Sequence, residues 1–280
     1  MTELRQGDCP NCPHDIIDPR DLKFFRNVCG YWFRPEDDAF RWRDRLGLAR
    51  PGLAEVVIFT LLFAAVLALA AVPAVLVHPA FWLLALPPAL CWLEVLWFFR
   101  DPQRVAPADP HALVSAADGT VTHAGEVDDP DFPGGRAFRV SVFLSIFNVH
   151  VNRIPRDGRV TAVRYFPGAF LDARDPESAA RNEQLWIDLE EPGRPRPLRV
   201  KQISGAIARR IVCWLKPGDA VRRGERLGMI KLGSRTDVLV PAGEPMEVKV
   251  KVGDKVKGGA TVLLRFTTED TESTEDRQKG

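Results

Sequence analysis

The chain has 280 residues, 46% of them hydrophobic, with 38 Lys and Arg against 37 Asp and Glu, for a formal net charge of +1. That length and apolar content suit one or two folded domains with a sizeable core. The near-neutral balance gives no global basicity to attract nucleic acid and no acidic bias to attract a basic partner. The five cysteines are odd in number and scattered, which points to a reducing compartment and not to a disulfide scaffold.

Residues 1–52 are polar and rich in Cys, Trp and Arg, and no cleavable signal peptide is read in them. Cys9, Cys12, His14 and Cys29 supply four zinc-type ligands around one Cys-x-x-Cys knuckle. A structural zinc site takes four N or S ligands. His14 sits very close to Cys12, however, and reduced thiols in a cytoplasmic segment account for the same residues. Zinc stays open here, and no metal is expected at the reactive site.

Residues 53–99 form a second regime. The stretch 56–77 is almost uncharged and near the length that crosses a ~30 Å hydrocarbon core. His78-Pro79 interrupts it, and 80–99 follows with Glu94 as its one charge and Pro87-Pro88 expected to break the regular helix. Arg41, Arg43, Arg45 and Arg50 flank one side, and Arg100 and Arg104 the other. Basic residues on both outer flanks, with none in the short turn, place both flanks in the cytoplasm of a cell (inner) membrane. Trp92, Trp97 and Phe98-Phe99 suit an interfacial belt. A buried helical hairpin and a re-entrant hairpin are the competing readings.

Residues 100–266 read as mostly β. Val/Ile/Phe-rich runs at 139–144, 149–154, 185–189, 211–215 and 247–252 alternate with Gly, Pro and Asp turns. A repeat emerges between 217–224 and 252–259, with the shared pattern Gly-Asp-x-Val-x-x-Gly. It resembles the turn–strand unit of lipoyl and biotinyl hammerhead domains. The expected fold is therefore mainly β, a hammerhead or lipoyl-like β-sandwich repeat with some α, preceded by an α-helical membrane hairpin. The acidic tail 267–280 is expected to be disordered.

Three places in this region could carry chemistry. If 147–154 is a strand, Asn148, His150 and Asn152 share one face, like one wall of a wet pocket. Asp118-Gly119 is a hairpin-turn signal, yet Asp118 could equally orient a histidine as in serine triads. His123 competes for that role, whereas His111 reads as surface. Gly233-Ser234 lies between the two repeats, flanked by apolar runs. Glycine leaves its carbonyl open, and serine places a hydroxyl beside it. That pair permits an N-to-O acyl shift once a base activates the hydroxyl; a plain loop explains the pair as well.

Together these residues resemble the phosphatidylserine decarboxylase family. The matching pieces are Phe98-Phe99-Arg100-Asp101-Pro102, Ala117-Asp118-Gly119, the run 147–155, Asn182-Glu183 and Gly233-Ser234-Arg235. They occur in the family's order across residues 95–266, and Gly-Ser-Arg is the form of its short branch. The resemblance implies a proenzyme that cleaves itself between Gly233 and Ser234. Ser234 becomes a pyruvoyl group, the self-made cofactor of a lyase that converts phosphatidylserine to phosphatidylethanolamine and carbon dioxide. It further implies that the α and β chains stay together as a heterodimer, with a dimer of these suggested. His150 is the implied general acid, with Asp118 assisting maturation.

Longer members carry His-x-x-His here; in this chain the first position is His150 and the second Arg153. Arg153, with Asn148, Asn152 and His123, is assigned to substrate binding, a guanidinium fork suiting phosphate or carboxylate. Two alternatives remain: a membrane-tethered lipoyl/biotinyl-like module without enzymatic activity, and a decarboxylase of another serine head-group lipid such as archaetidylserine.

Overall fold

Continuous apolar sequence gives helix and alternating sequence gives sheet, and the chain divides accordingly into two units. The computed structural model describes residues 41–175, 177–191, 194–206, 210–231 and 233–267. The zinc candidates Cys9, Cys12, His14 and Cys29, the rest of residues 1–40, and the tail from 268 lie outside the described residues.

Among the described residues the helical unit comprises 41–103 together with the turn Ile146–Val149. Helix α1, Leu53–Leu76, runs 24 residues, about 36 Å at 1.5 Å per residue. His78 then accepts a hydrogen bond from the Ala80 amide at its Nδ1 and opens a 3₁₀ stretch, Pro79–Ala85. Helix α2 follows over Leu86–Phe98 with Pro87-Pro88 in its first turn. There the missing amide protons are orphans in any case. The prolines therefore start α2, and the second leg changes there from 3₁₀ to α, so it is not one regular helix. The 3₁₀ stretch plus α2 is again about 34 Å. Both legs are long and apolar enough to cross a membrane.

Trp92 stacks on Phe63 and donates to Thr60 Oγ1 at 2.8 Å across the hairpin. Phe98 and Phe99 are buried, edge to face, and Phe99 lies where any side chain at Gly52 would have to be. Of the expected aromatic belt, then, Trp97 alone is an exposed ring at the hairpin's end.

The second unit contains fourteen strands among the described residues. In chain order these are β1 (Ala112–Val114), β2 (Gly119–Asp128), β3 (Arg136–Leu144), β4 (Val151–Arg153), β5 (Gly158–Phe166), β6 (Gln184–Glu191) and β7 (Arg194–Ser204). Then follow β8 (Ile211–Cys213), β9 (Ala220–Val221), β10 (Arg226–Ile230), β11 (Ser234–Pro241), β12 (Met246–Val248), β13 (Lys255–Val256) and β14 (Val262–Phe266). A one-turn helix, Ser178–Arg181, precedes β6. The main sheet has the order β13-β2-β3-β11-β7-β6-β5-β9, and two three-stranded sheets, β1-β14-β12 and β4-β10-β8, accompany it. One apolar core gathers residues of all three, among them Leu113, Val142, Ile154, Val200, Leu227, Val238 and Leu263.

The repeat seen in the sequence is one edge of a larger internal two-fold. Gly253 donates to Val121 O and Gly218 to Val160 O; Val121 in turn donates to Asp254 O and Val160 to Asp219 O. Val256 pairs with Gly119 as Val221 pairs with Gly158. Asp254 accepts the Lys251 amide as Asp219 accepts that of Lys216. The four turn glycines, Gly218, Gly224, Gly253 and Gly259, all have φ between +74° and +96°, which L side chains adopt poorly. One half is β4–β10, continuous in sequence. The other is β1–β3 joined to β11–β14, so the β4–β10 half is inserted within it. β11 and β7 meet at the centre.

Candidate active site

Ser234 opens β11, a strand paired on both edges: Ser234 faces Leu144 of β3 and Ser204 of β7. It has no solvent exposure, and its Oγ has no hydrogen-bond partner. A buried hydroxyl without a partner costs roughly 1–3 kcal/mol, so such a group calls for a functional explanation. Gly233, just before it, has φ +67°. Its carbonyl packs against Gly205, where an added Cβ would stand 2.4 Å from the Gly233 oxygen. Gly205 is thus required by the position of that carbonyl, a role that its sequence context does not display.

Alternation along β11 sends Thr236 to the same face as Ser234, and Arg235 and Asp237 to the other. On the Ser234 face, Asn152 donates to Thr236 Oγ1 at 3.3 Å and accepts from Gln202 Nε2 at 2.7 Å. All three are essentially without solvent exposure. Asn152 is thus built into the packing one step from Ser234. Gln202 and Thr236 were not singled out from the sequence; the available signal was a polar residue at a core-facing strand position.

On the opposite face Arg235 grips Asp237 through two hydrogen bonds of 2.7 and 2.9 Å and reaches Ser141 Oγ. His123 pairs with Ser141 and lies on this face, away from Ser234. Its pKa is lowered, first by burial and then by the nearby Arg139 charge. Burial likewise lowers the Arg139 pKa. The expectation that His123 joins the reactive serine is corrected by the β-bulge between Val121 and His123, which reverses the facing of every residue beyond it.

His150 is fully buried, one residue before β4. The expected strand 147–154 is shorter: residues 146–148 form a turn and only Val151–Arg153 is strand. Asn148 therefore belongs to the turn of the helical unit and shares no strand face with His150. Val149 and Val151 are as buried as His150 and Asn152, so the region is not a wet wall with a dry back.

Asp118 is buried, with Oδ1 accepting the Gly258 amide and Oδ2 accepting Arg104, both at 2.7 Å. Val114 donates to Pro155 O, and Arg153 donates to Ala116 O. These two bonds tie the segment after β1 to β4. Arg153 donates to the Gly224 carbonyl at 3.3 Å and packs on Gly259, bridging the two repeat turns. Lys231 is buried, unlike the exposed acceptor lysine that a swinging-arm carrier presents.

A buried hydroxyl thus follows a sterically selected glycine carbonyl at the start of β11. Such an arrangement is equipped for acyl transfer within its own backbone. Comparison with known proteins agrees. The family model described as phosphatidylserine decarboxylase matches residues 94–264. A phosphatidylserine decarboxylase proenzyme of Rhodopirellula baltica is 46% identical over 246 residues, 88% of this chain and 99% of that protein. The proenzyme of Symbiobacterium thermophilum is 46% identical over 204 residues, 73% of this chain and 92% of its own. That of Desulfotalea psychrophila is 44% identical over 168 residues, 60% and 77% of the two chains.

Proposed function

The chain belongs to the phosphatidylserine decarboxylase family, and from that premise we propose a self-processing, pyruvoyl-type lyase that converts phosphatidylserine to phosphatidylethanolamine and carbon dioxide. The observation that carries the reading is the buried, unpartnered Ser234 hydroxyl behind the Gly233 carbonyl. Its burial and free hydroxyl fit a residue that is consumed in forming the pyruvoyl group.

In maturation Ser234 Oγ attacks the Gly233 carbonyl and the peptide nitrogen departs, giving an ester. Loss of the Ser234 α-proton expels the Gly233 carboxylate. The dehydroalanine left behind takes up water and releases ammonia, so residue 234 becomes the pyruvoyl start of the 234–280 chain. His150 takes the hydroxyl proton, Asp118 holds the imidazole in place, and Arg104 fixes Asp118 through its second oxygen. Gly205 leaves the space that the attacked carbonyl needs.

In turnover the pyruvoyl group supplies an electron sink for the pair released with carbon dioxide. His150 delivers a proton to the carbon that loses the carboxylate. Exclusion of water from the buried site favours the substrate carboxylate leaving as a neutral gas. Chains 1–233 and 234–280 remain together as an α/β heterodimer. The two long apolar legs associate the protein with a membrane, and the arginines at both outer flanks support an inner membrane with the β unit on its cytoplasmic face.

An intact-mass spectrum of the purified protein tests the reading. Two chains divided after Gly233, the smaller carrying a pyruvoyl group in place of serine, are the expected result. A single chain that never cleaves, with no carbon dioxide released from phosphatidylserine vesicles, would overturn it.

A further inference from the structure

The turn between β3 and β4 does not behave as part of the β unit; residues 146–149 group with the helical hairpin. The Phe147 carbonyl accepts hydrogen bonds from Trp97 Nε1 at 3.0 Å and from Arg100 at 2.9 Å. Arg100 also donates to the Trp97 carbonyl, and its guanidinium lies 4.0 Å from the centre of the Trp97 ring. The end of α2 and a turn 47 to 50 residues further along the chain are thus bound into one knot through backbone oxygens. The side chains that this knot presents are apolar: Phe147 is 61% exposed, Trp97 53% and Ile146 37%.

The knot's level along the hairpin is fixed by the helix ends. Leu48 bridges Arg100, Ala49 donates to Phe99 O, and Asp101 donates to Gly47 O. The start of α1 and the end of α2 therefore lie at one level, with Arg50 and Arg100 both there. This is the end at which an amphipathic Trp and an Arg with an apolar stem mark a bilayer's headgroup layer. The exposed rings continue the apolar surface of α2, where Leu90 and Leu93 are also exposed. A lipid surface is the partner that matches that continuity.

We propose that Ile146 and Phe147 form an interfacial wedge, entering the bilayer at the headgroup–acyl boundary beside Trp97 and fixing the depth at which the segment leading to His150 meets lipid. His150 follows Phe147 by three residues, so the wedge ties the proposed acid to the plane in which a lipid headgroup lies. The inference rests on the reading of the hairpin as a membrane anchor and of the chain as a lipid decarboxylase.

The test uses full-length protein reconstituted in phosphatidylcholine vesicles and compares two substrates: phosphatidylserine included in the same vesicles, and a short-chain dibutyryl phosphatidylserine dispersed as monomers. Burial of one phenyl side chain translates to about a tenfold or greater effect on affinity. Phe147→Ser should therefore raise KM for the vesicle substrate about tenfold, leave kcat and the monomeric substrate within about twofold, and be rescued by Phe147→Trp. Equal losses on both substrates would mean that Phe147 supports folding or chemistry, and would overturn the wedge. Unchanged KM on vesicles would overturn it too. If the unmodified protein turns over neither substrate, the decarboxylase reading itself falls, and the wedge with it.

Discussion

The two halves of the β unit share a frame and differ in what the frame holds. Each has a His one residue before a short strand, His111 before β1 and His150 before β4. Each has an Asp-Gly turn, Asp118-Gly119 and Asp157-Gly158, whose carboxylate accepts a backbone amide of the facing repeat turn at 2.7 Å. The common residues are therefore explained by architecture. His150 is fully buried, whereas His111 is half-buried; Asp118 is buried on Arg104, whereas Asp157 is exposed. The proposed chemistry falls on the copy that departs from symmetry. A motif that occurs twice becomes a site where one copy loses water and gains a charge partner.

The sharpest way to break this comparison is to mutate both members of each pair. His150→Ala should lower turnover of matured protein by about 10²–10⁴, the usual worth of a general acid. His111→Ala should leave turnover intact and cost about 1 kcal/mol of stability. Equal activity losses, measured as carbon dioxide release, would put the asymmetry in the wrong place.

Asp118→Asn should slow self-cleavage by about 10²-fold, followed by the disappearance of the full-length band, because it removes the charge that Arg104 holds. Asp157→Asn keeps a hydrogen-bond acceptor at an exposed turn and should cleave at the native rate. Next comes Gly205→Ala, expected to slow cleavage by up to about 10²-fold, since displacing a reacting group by an ångström costs about that much. Hydroxylamine, which cleaves an ester but spares an amide, should not speed the reaction of this variant if the acyl shift itself is hindered.

The smallest expected effect concerns His123. Its pKa is lowered in the fold, first by burial, so the folded state binds fewer protons than the unfolded chain. The stabilisation is complete above the unfolded value of about 6.5 and is lost as pH falls below it toward the folded value. Melting at pH 7.5 and 5.5 should show a smaller pH dependence in His123→Gln than in the native protein. An unchanged pH dependence would remove His123 from that account.

Most of the frame was legible in the sequence because local chemistry specifies it. Apolar length fixed the two legs, and the Gly-Asp-x-Val-x-x-Gly turns need positive φ at set positions that only glycine fills readily. Ser234 stood out because a Gly-Ser pair between strand-like runs is chemically unusual. What escaped was non-local. Gly205 matters through a contact with Gly233 from a different strand end, and no pattern around it announces that. His123 was misplaced because one bulge residue reverses the facing of the rest of β2. The second half of the two-fold was hidden because its Asp-Gly turn reads as an ordinary hairpin signal, and the relation depends on hydrogen bonds between distant segments.

The double pairing of β11 has a consequence for the lifetime of the protein. The proposed cleavage before Ser234 would cut the chain at the start of a strand held by β3 on one side and β7 on the other, so the scission would leave the pairing of the sheet in place. It does change the reaction order of refolding. The precursor folds as one molecule, at a rate independent of concentration; the cleaved protein must recapture residues 234–280 from solution, against dilution. It also cannot rebuild the bond it has spent. On that proposal each molecule folds once in its easy form and thereafter persists by the height of its unfolding barrier and not by reversible equilibrium.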